Sequence, residues 1–231
     1  MKVAAEQIDQ LYLFTRQHYV EYYDLQSELV DHLANAIELQ WKENPQLSFD
    51  AILAIEFKKF GVFGFMDVIE ERKNALTKKY NLLVWNHFKA FFGFPKIIAT
   101  LASVFIIYNL FIQLQFGLEV FIILFGTVSS AIIFKLSKTK KKLADNQKKW
   151  FFEDIILSYG TTTGLLPLPF HLMYWFYNMS KELLETEVSL LILASVFVFY
   201  TIFSYIMVVM IPSKANAYLT ATYPEYEIAT M

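Results

Sequence analysis

Four stretches of this chain are long and apolar enough to cross a lipid bilayer, and nothing else in the sequence limits the fold as strongly. A hydrocarbon core takes about 20 consecutive, mostly apolar residues as a helix, because backbone polar groups there must be bonded within the segment. The stretches run over about 97–114, 118–136, 155–175 and 188–211. Their interiors carry no Lys, Arg, Asp or Glu; Glu119, Lys135, Glu153 and Asp154 lie at edges. Gln115-Phe116-Gly117 parts the first two, and Pro212, which cannot donate to a helix ladder, is expected to stop the last. One such run could be the buried core helix of a soluble domain. Four in 231 residues point to lipid.

Composition excludes several other classes. A chain with 56% hydrophobic residues and 23 Phe cannot stay solvated and disordered. With only 7 Gly and 6 Pro it is neither collagen-like nor a linker. With 0 Cys there are no disulfides, thiolate metal sites or Cys nucleophiles.

Basic residues set the expected orientation, since short Lys-rich loops resist translocation. Lys135, Lys138, Lys140, Lys141, Lys142, Lys148 and Lys149 lie between the second and third stretches. Lys78, Lys79, Lys89 and Lys96 precede the first stretch and Lys214 follows the fourth, whereas Lys181 stands alone among acids on the other side. Both termini are therefore expected in the cytoplasm. The start, Met1-Lys2-Val3-Ala4-Ala5-Glu6, turns polar too soon for a signal peptide. Trp150 on one side and Tyr174, Trp175 and Tyr177 on the other suit interfacial belts for the third stretch. The run SKTKKKLADNQKK resembles a nucleic-acid patch in composition, but between two spans it is read as topology and attraction to anionic lipid, with no nucleic acid as a direct partner.

Residues 1–80 differ: charged, amphipathic, and read as three or four short helices without strands. Ile8, Leu11, Tyr12, Thr15 and Tyr19 share one helical stripe. Leu25, Leu29, Val30, Leu33, Ala36, Ile37 and Trp41 form the apolar arc of a second helix, with Asp24, Glu28, Asp31, Asn35 and Glu38 opposite. Ser48 is an N-cap for a helix over 49–60, and Gly61 a residue for its end. A further helix spans 65–80, with Met66, Ile69 and Leu76 inward. Residues 81–95, holding Trp85, Phe88, Phe91 and Phe92, read as an amphipathic linker lying on the cytoplasmic leaflet.

The runs YYDLQSELVDHLANAIE, SFDAILAIEFKKFG and GFMDVIEERKNAL resemble the HAAS-type helical domain over about 12–76. Phe60-Gly61-Val62-Phe63 stands where that family has Leu-Gly-x-Pro. The resemblance implies a signalling module ahead of membrane spans, of the kind often encoded beside PadR-type regulators. It also implies a bacterial cytoplasmic membrane, and it brings no catalytic residues.

Candidate chemistry is sparse. Asp24, Glu28 and His32, at i, i+4 and i+8 beside Asp31, have the spacing of a metal-binding helix face and equally that of a solvated one; the solvated face is preferred, and no metal or cofactor is assigned. Gly160-Thr161-Thr162-Thr163-Gly164 is a small-xxx-small motif for close helix packing. Pro167 and Pro169 should interrupt the helix that follows. His171 falls near the outer end of its stretch, by Tyr174 and Trp175, and is read as interfacial. The HExxH, GxSxG, GxxxxGK and GxGxxG patterns are absent, so no catalytic residue is assigned and an enzyme is not expected.

The sequence thus predicts an all-α protein: a cytoplasmic helical domain (1–80), an interfacial linker (81–95), a four-helix transmembrane bundle (96–212) and a short cytoplasmic tail (213–231). The expected role is regulatory or signalling, with Tyr22, Tyr23, Glu28, Asp31, His32 and Trp41 as a docking surface for a cytoplasmic regulator. The lipid bilayer and a second copy of the chain are the other expected partners. The alternative is a permease or exporter component with an accessory domain, its pathway lined by Ser158, Thr161, Thr162 and His171.

Overall fold

A computed structural model describes residues 2–114, 118–144, 148–162, 168–178, 186–223 and 225–226. All regular structure among them is helical. The helices are α1 (Ala5–Gln17), α2 (Tyr23–Glu43), α3 (Phe49–Lys58), α4 (Met66–Lys89), α5 (Lys96–Gln113), α6 (Leu118–Ala144), α7 (Phe151–Thr162) and α8 (Leu168–Tyr177). They are followed by α9 (Glu187–Tyr205), a π-turn (Ile206–Met210), α10 (Ile211–Ser213) and α11 (Ala215–Thr220). Two compact units result: Met1–Lys78 with Asn146–Glu153, and Lys79–Asp145 with Asp154–Met231.

The first unit packs α2 against α1 and α3. Leu25, Leu29, Val30, Leu33, Ile37 and Trp41 of α2 are all buried, as their helical spacing predicts. Ser48 caps α3, its hydroxyl accepting the Ala51 amide at 3.3 Å. α3 then ends at a corner that needs two positive-φ residues, Gly61 (+79°) and Gly64 (+56°). Gly64 is the tighter position, since a Cβ there would lie 2.9 Å from the Phe57 ring. The corner turns Phe65 inward, 1% exposed, and leaves Met66 half exposed, one residue off the expected inward set. Tyr19, expected on the α1 stripe, lies beyond the helix at φ +66° and is 79% exposed. Gln26 closes that corner, its amide donating to the Val20 carbonyl at 2.5 Å.

The second unit places α5, α6 and α9 around one apolar cluster. Phe111 of α5, Phe125 and Ile132 of α6, and Leu193, Phe197 and Tyr200 of α9 form its centre. Phe125 meets Phe197 edge-on at 4.9 Å, and Ser129 and Tyr200 hydroxyls pair at 3.2 Å. α4 is continuous to Lys89, so the expected boundary at residue 80 falls inside a helix and much of the expected linker is its last turns. Phe88 of α4 stacks on Phe203 at 4.2 Å.

Two helices are long and apolar enough to cross a membrane by length and composition: Lys96–Gln113, and Glu187–Ser213 counted through the π-turn. The latter ends at Ser213, one residue past Pro212. A proline ring would collide with the carbonyl four residues back in an α-helix, and the wider π-turn over Ile206–Met210 immediately precedes it. α6 continues to Ala144, well past Leu136; lysines are good helix formers, and no Gly or Pro lies between Thr127 and Ala144. The third stretch is described as two helices, α7 and α8, on either side of residues 163–167.

Candidate functional site

The N-terminus of α2 and the segment Lys148–Glu153 complete each other. An α-helix leaves its first backbone N–H groups without internal partners, and each of these two ends is met by the other segment. The Tyr23 amide donates to the Lys149 carbonyl at 2.8 Å. The Phe151 amide, at the start of α7, donates to Asp24 Oδ1 at 3.0 Å. Asp24 is 5% exposed, and its charge lies in the first turn of α2 and at the first residue of α7. Two helix N-termini carry positive partial charge, so both favour a carboxylate there.

Aromatic packing surrounds this pair of bonds. Tyr22 stacks on Phe151 at 4.0 Å with the rings 4° from parallel, and Tyr23 meets Trp150 at 5.4 Å. Trp150, Phe151 and Phe152 are all buried. Lys148 Nζ lies 4.2 Å from the Tyr23 ring centre on its face, and Lys149 Nζ is 3.5 Å from Glu21 Oε2. Tyr12 stacks on Tyr23 from the other side, and burial pushes the Tyr12 phenol above its usual range.

This arrangement changes several sequence expectations. Asp24 does not stand on the solvated arc, because its carboxylate is the acceptor for α7. Trp150 is 2% exposed within the first unit and so is no interfacial anchor. Trp41 is 7% exposed, its Nε1 donating to the Leu47 carbonyl at 3.0 Å, so it serves the core and offers no docking area. Tyr22 and Tyr23 spend their faces on the chain's own connector. Of the expected docking residues, Glu28, Asp31 and His32 remain exposed, Glu28 with Arg72 at 3.9 Å. The pattern Asp24, Glu28, His32 gathers no metal site; among the described residues no three candidate ligands come together.

The packing motif is only partly described. Gly160 lies in the last turns of α7, whereas Gly164 and Pro167 lie outside the described residues, as does Thr163. Pro169 is buried and is the second residue of α8, a position where a missing N–H is tolerated, so it begins a helix instead of breaking one. His171 is exposed on α8. Ser158 donates to the Asp154 carbonyl at 2.5 Å.

Sequence reasoning missed a second region, within the second unit. His87 Nε2 and Tyr218 Oη are 2.7 Å apart, tying α4 to α11, and Lys79 Nζ donates to Thr222 Oγ1 at 2.8 Å. Burial, then the nearby Lys214 and Lys96 ammonium groups, hold the His87 imidazole below its usual pKa; burial raises the Tyr218 phenol. Beside Lys96 a groove of about 490 Å³ runs between α5 and α9. Phe91, Ala99, Ile107, Val198 and Ile202 supply apolar wall. No periodicity argument could join residues 87 and 218, since they lie on separate helices far apart in sequence.

By fold, the chain is an all-helical protein with two helices that meet the length and composition of membrane spans. No protein-family model, curated protein or solved structure matches it.

Proposed function

We propose that the chain is a multi-pass membrane protein whose N-terminal helical domain is a cytoplasmic regulatory module without catalytic activity. The observation that carries this reading is the packing of Lys148–Glu153 into the N-terminal unit. That segment links the second and third hydrophobic stretches, so a lysine-rich connector and the N-terminal helices share one side of the bilayer, the side that short basic loops favour. Lipid surroundings are supported by α5, of which only 11% is buried although its 18 residues are mostly apolar. A core helix of a soluble protein would be mostly covered, and an uncovered apolar face of this length needs another solvent. The remaining two stretches, 118–136 and 155–175, complete a four-helix bundle with both termini inside.

In this reading the module grips the chain at the root of α7. A partner that binds the exposed arc of α2, at Glu28, Asp31 and His32, would act one helix turn or two from Asp24 and the connector. The acidic arc suits a basic partner, and the helix order matches what a HAAS-like domain ahead of membrane spans would require.

The test is affinity purification of the intact chain from native membranes, beside a charge-reversed variant, Glu28→Lys with Asp31→Lys. A partner retained by the native chain and lost with the variant is expected. Recovery of the same proteins with both chains, or of none with either, contradicts docking at α2.

A further inference from the structure

We propose that the groove between α5 and α9 holds an acyl chain of an anionic phospholipid, with Lys96, Lys214 and the His87–Tyr218 pair receiving its phosphate at the mouth. The proposal rests on the membrane reading above and adds a specific lipid site to it.

Three observations carry it. First, the wall is chemically suited to a hydrocarbon chain. The hydroxyls that line the groove have their hydrogens committed to backbone: Thr100 to the Phe91 and Lys96 carbonyls (3.2 Å each), Ser103 to Ala99 (2.8 Å), and Thr201 to Phe197 (2.9 Å). What remains facing the space is methyl, methylene and ring carbon. A polar solute would find almost no donors there. The volume, about 490 Å³, falls in the usual range for small-molecule sites, roughly 300–1,000 Å³.

Second, among the described residues the one charged side chain lining the groove is basic, Lys96. Lys96, in the first turn of α5, lines the groove with its Nζ 5.4 Å from the Phe91 ring centre on its face. Lys96 and Lys214 both lie near enough to His87 to act on it electrostatically, and the Tyr218 hydroxyl is 2.7 Å from His87 Nε2. Among the described residues no carboxylate lies within ion-pair distance of Lys96 or Lys214. Two ammonium groups near one site repel, and a phosphate between them would relieve the repulsion while accepting hydrogen bonds from ammonium, imidazole or phenol.

Third, the neighbouring surface is that of a membrane interface. Phe92, Phe94 and Trp85 are exposed beside this end of α5, and Leu101, Phe105 and Ile106 expose an apolar stripe farther along it. The headgroup would lie at the level of the basic residues, in the leaflet where anionic lipid is expected.

The experiment uses the intact chain, extracted from membranes in mild detergent and stripped of lipid. It is titrated with phosphatidylglycerol, with phosphatidylcholine of the same acyl chains, and with inorganic phosphate. Bound lipid is read by native mass spectrometry and by the thermal midpoint. Phosphatidylglycerol should bind roughly tenfold or more tightly than phosphatidylcholine, the effect expected of two lysines at a surface. A Lys96→Gln, Lys214→Gln double variant should keep phosphatidylcholine binding and lose the preference. A Ser103→Trp variant, which fills the groove, should weaken both lipids. Equal binding of the two lipids, a preference undiminished in the double variant, or a midpoint shift reproduced by phosphate alone would each overturn the site. A chain that fractionates with membranes yet shows no preference overturns only the lipid site. A chain found in the soluble fraction overturns the membrane reading and this proposal together.

Discussion

Asp24 and Phe151 are 127 residues apart in sequence and 3.0 Å apart in the fold. A buried amide that loses its acceptor suffers the full desolvation penalty, so Asp24→Ala should destabilise the first unit by about 1–3 kcal/mol. Asp24→Asn keeps an acceptor and should lose less. Thermal unfolding of the detergent-solubilised chain reads the energy, and limited proteolysis near 148–153 should show the connector released in the Ala variant. His87 gives a pH dependence with a definite sign. Its folded pKa lies below the usual 6.5, so the unfolded chain takes up the proton first as pH falls. The stabilisation is present above 6.5 and is lost as pH drops through the folded value. From about pH 8 to about pH 5 the native chain should therefore lose more thermal midpoint than His87→Gln. Neither site was legible from sequence. Helical periodicity marked Asp24 as polar and opposite the apolar arc, which is true locally; its burial comes from a segment the pattern cannot see.

At the scale of elements, the apolar runs and capping residues were readable and the exits were not. Ser48 and Gly61 bracket α3 as their chemistry requires, and α5 lies within one residue of its apolar run. α6 overran its expected end because lysines are good helix formers and no Gly or Pro interrupts the run after Gly126. Pro212 was read as a stop, and the helix ends one residue past it, after a π-turn over Ile206–Met210 that accommodates the ring. The corner between α3 and α4 offers a sharp test of local strain. Gly61→Ala meets nothing within 4 Å and should pay only for its positive φ, about 1–2 kcal/mol. Gly64→Ala meets the Phe57 ring as well, and overpacking adds about 1–3 kcal/mol. Thermal unfolding of the two variants should rank Gly64→Ala clearly below Gly61→Ala.

For the whole molecule, two physical facts bear on one another. α5 and α9 are apolar on faces that the fold leaves uncovered, which asks for lipid. The end of the basic connector, Lys148–Glu153, packs with the N-terminal helices. Charge bias in the sequence led to the expectation that this connector and the N-terminal helices share one side of the bilayer; the contact itself is a helix end capped by Asp24. A chain with 0 Cys allows the topology to be read one thiol at a time. Lys148→Cys lies in the connector, and Asn178→Cys lies just past α8 at the far end of the third hydrophobic stretch. Intact cells treated with a membrane-impermeant thiol reagent should label the chain at position 178 and leave position 148 unlabelled until the membrane is opened. Labelling of position 148 from outside an intact cell would contradict the account.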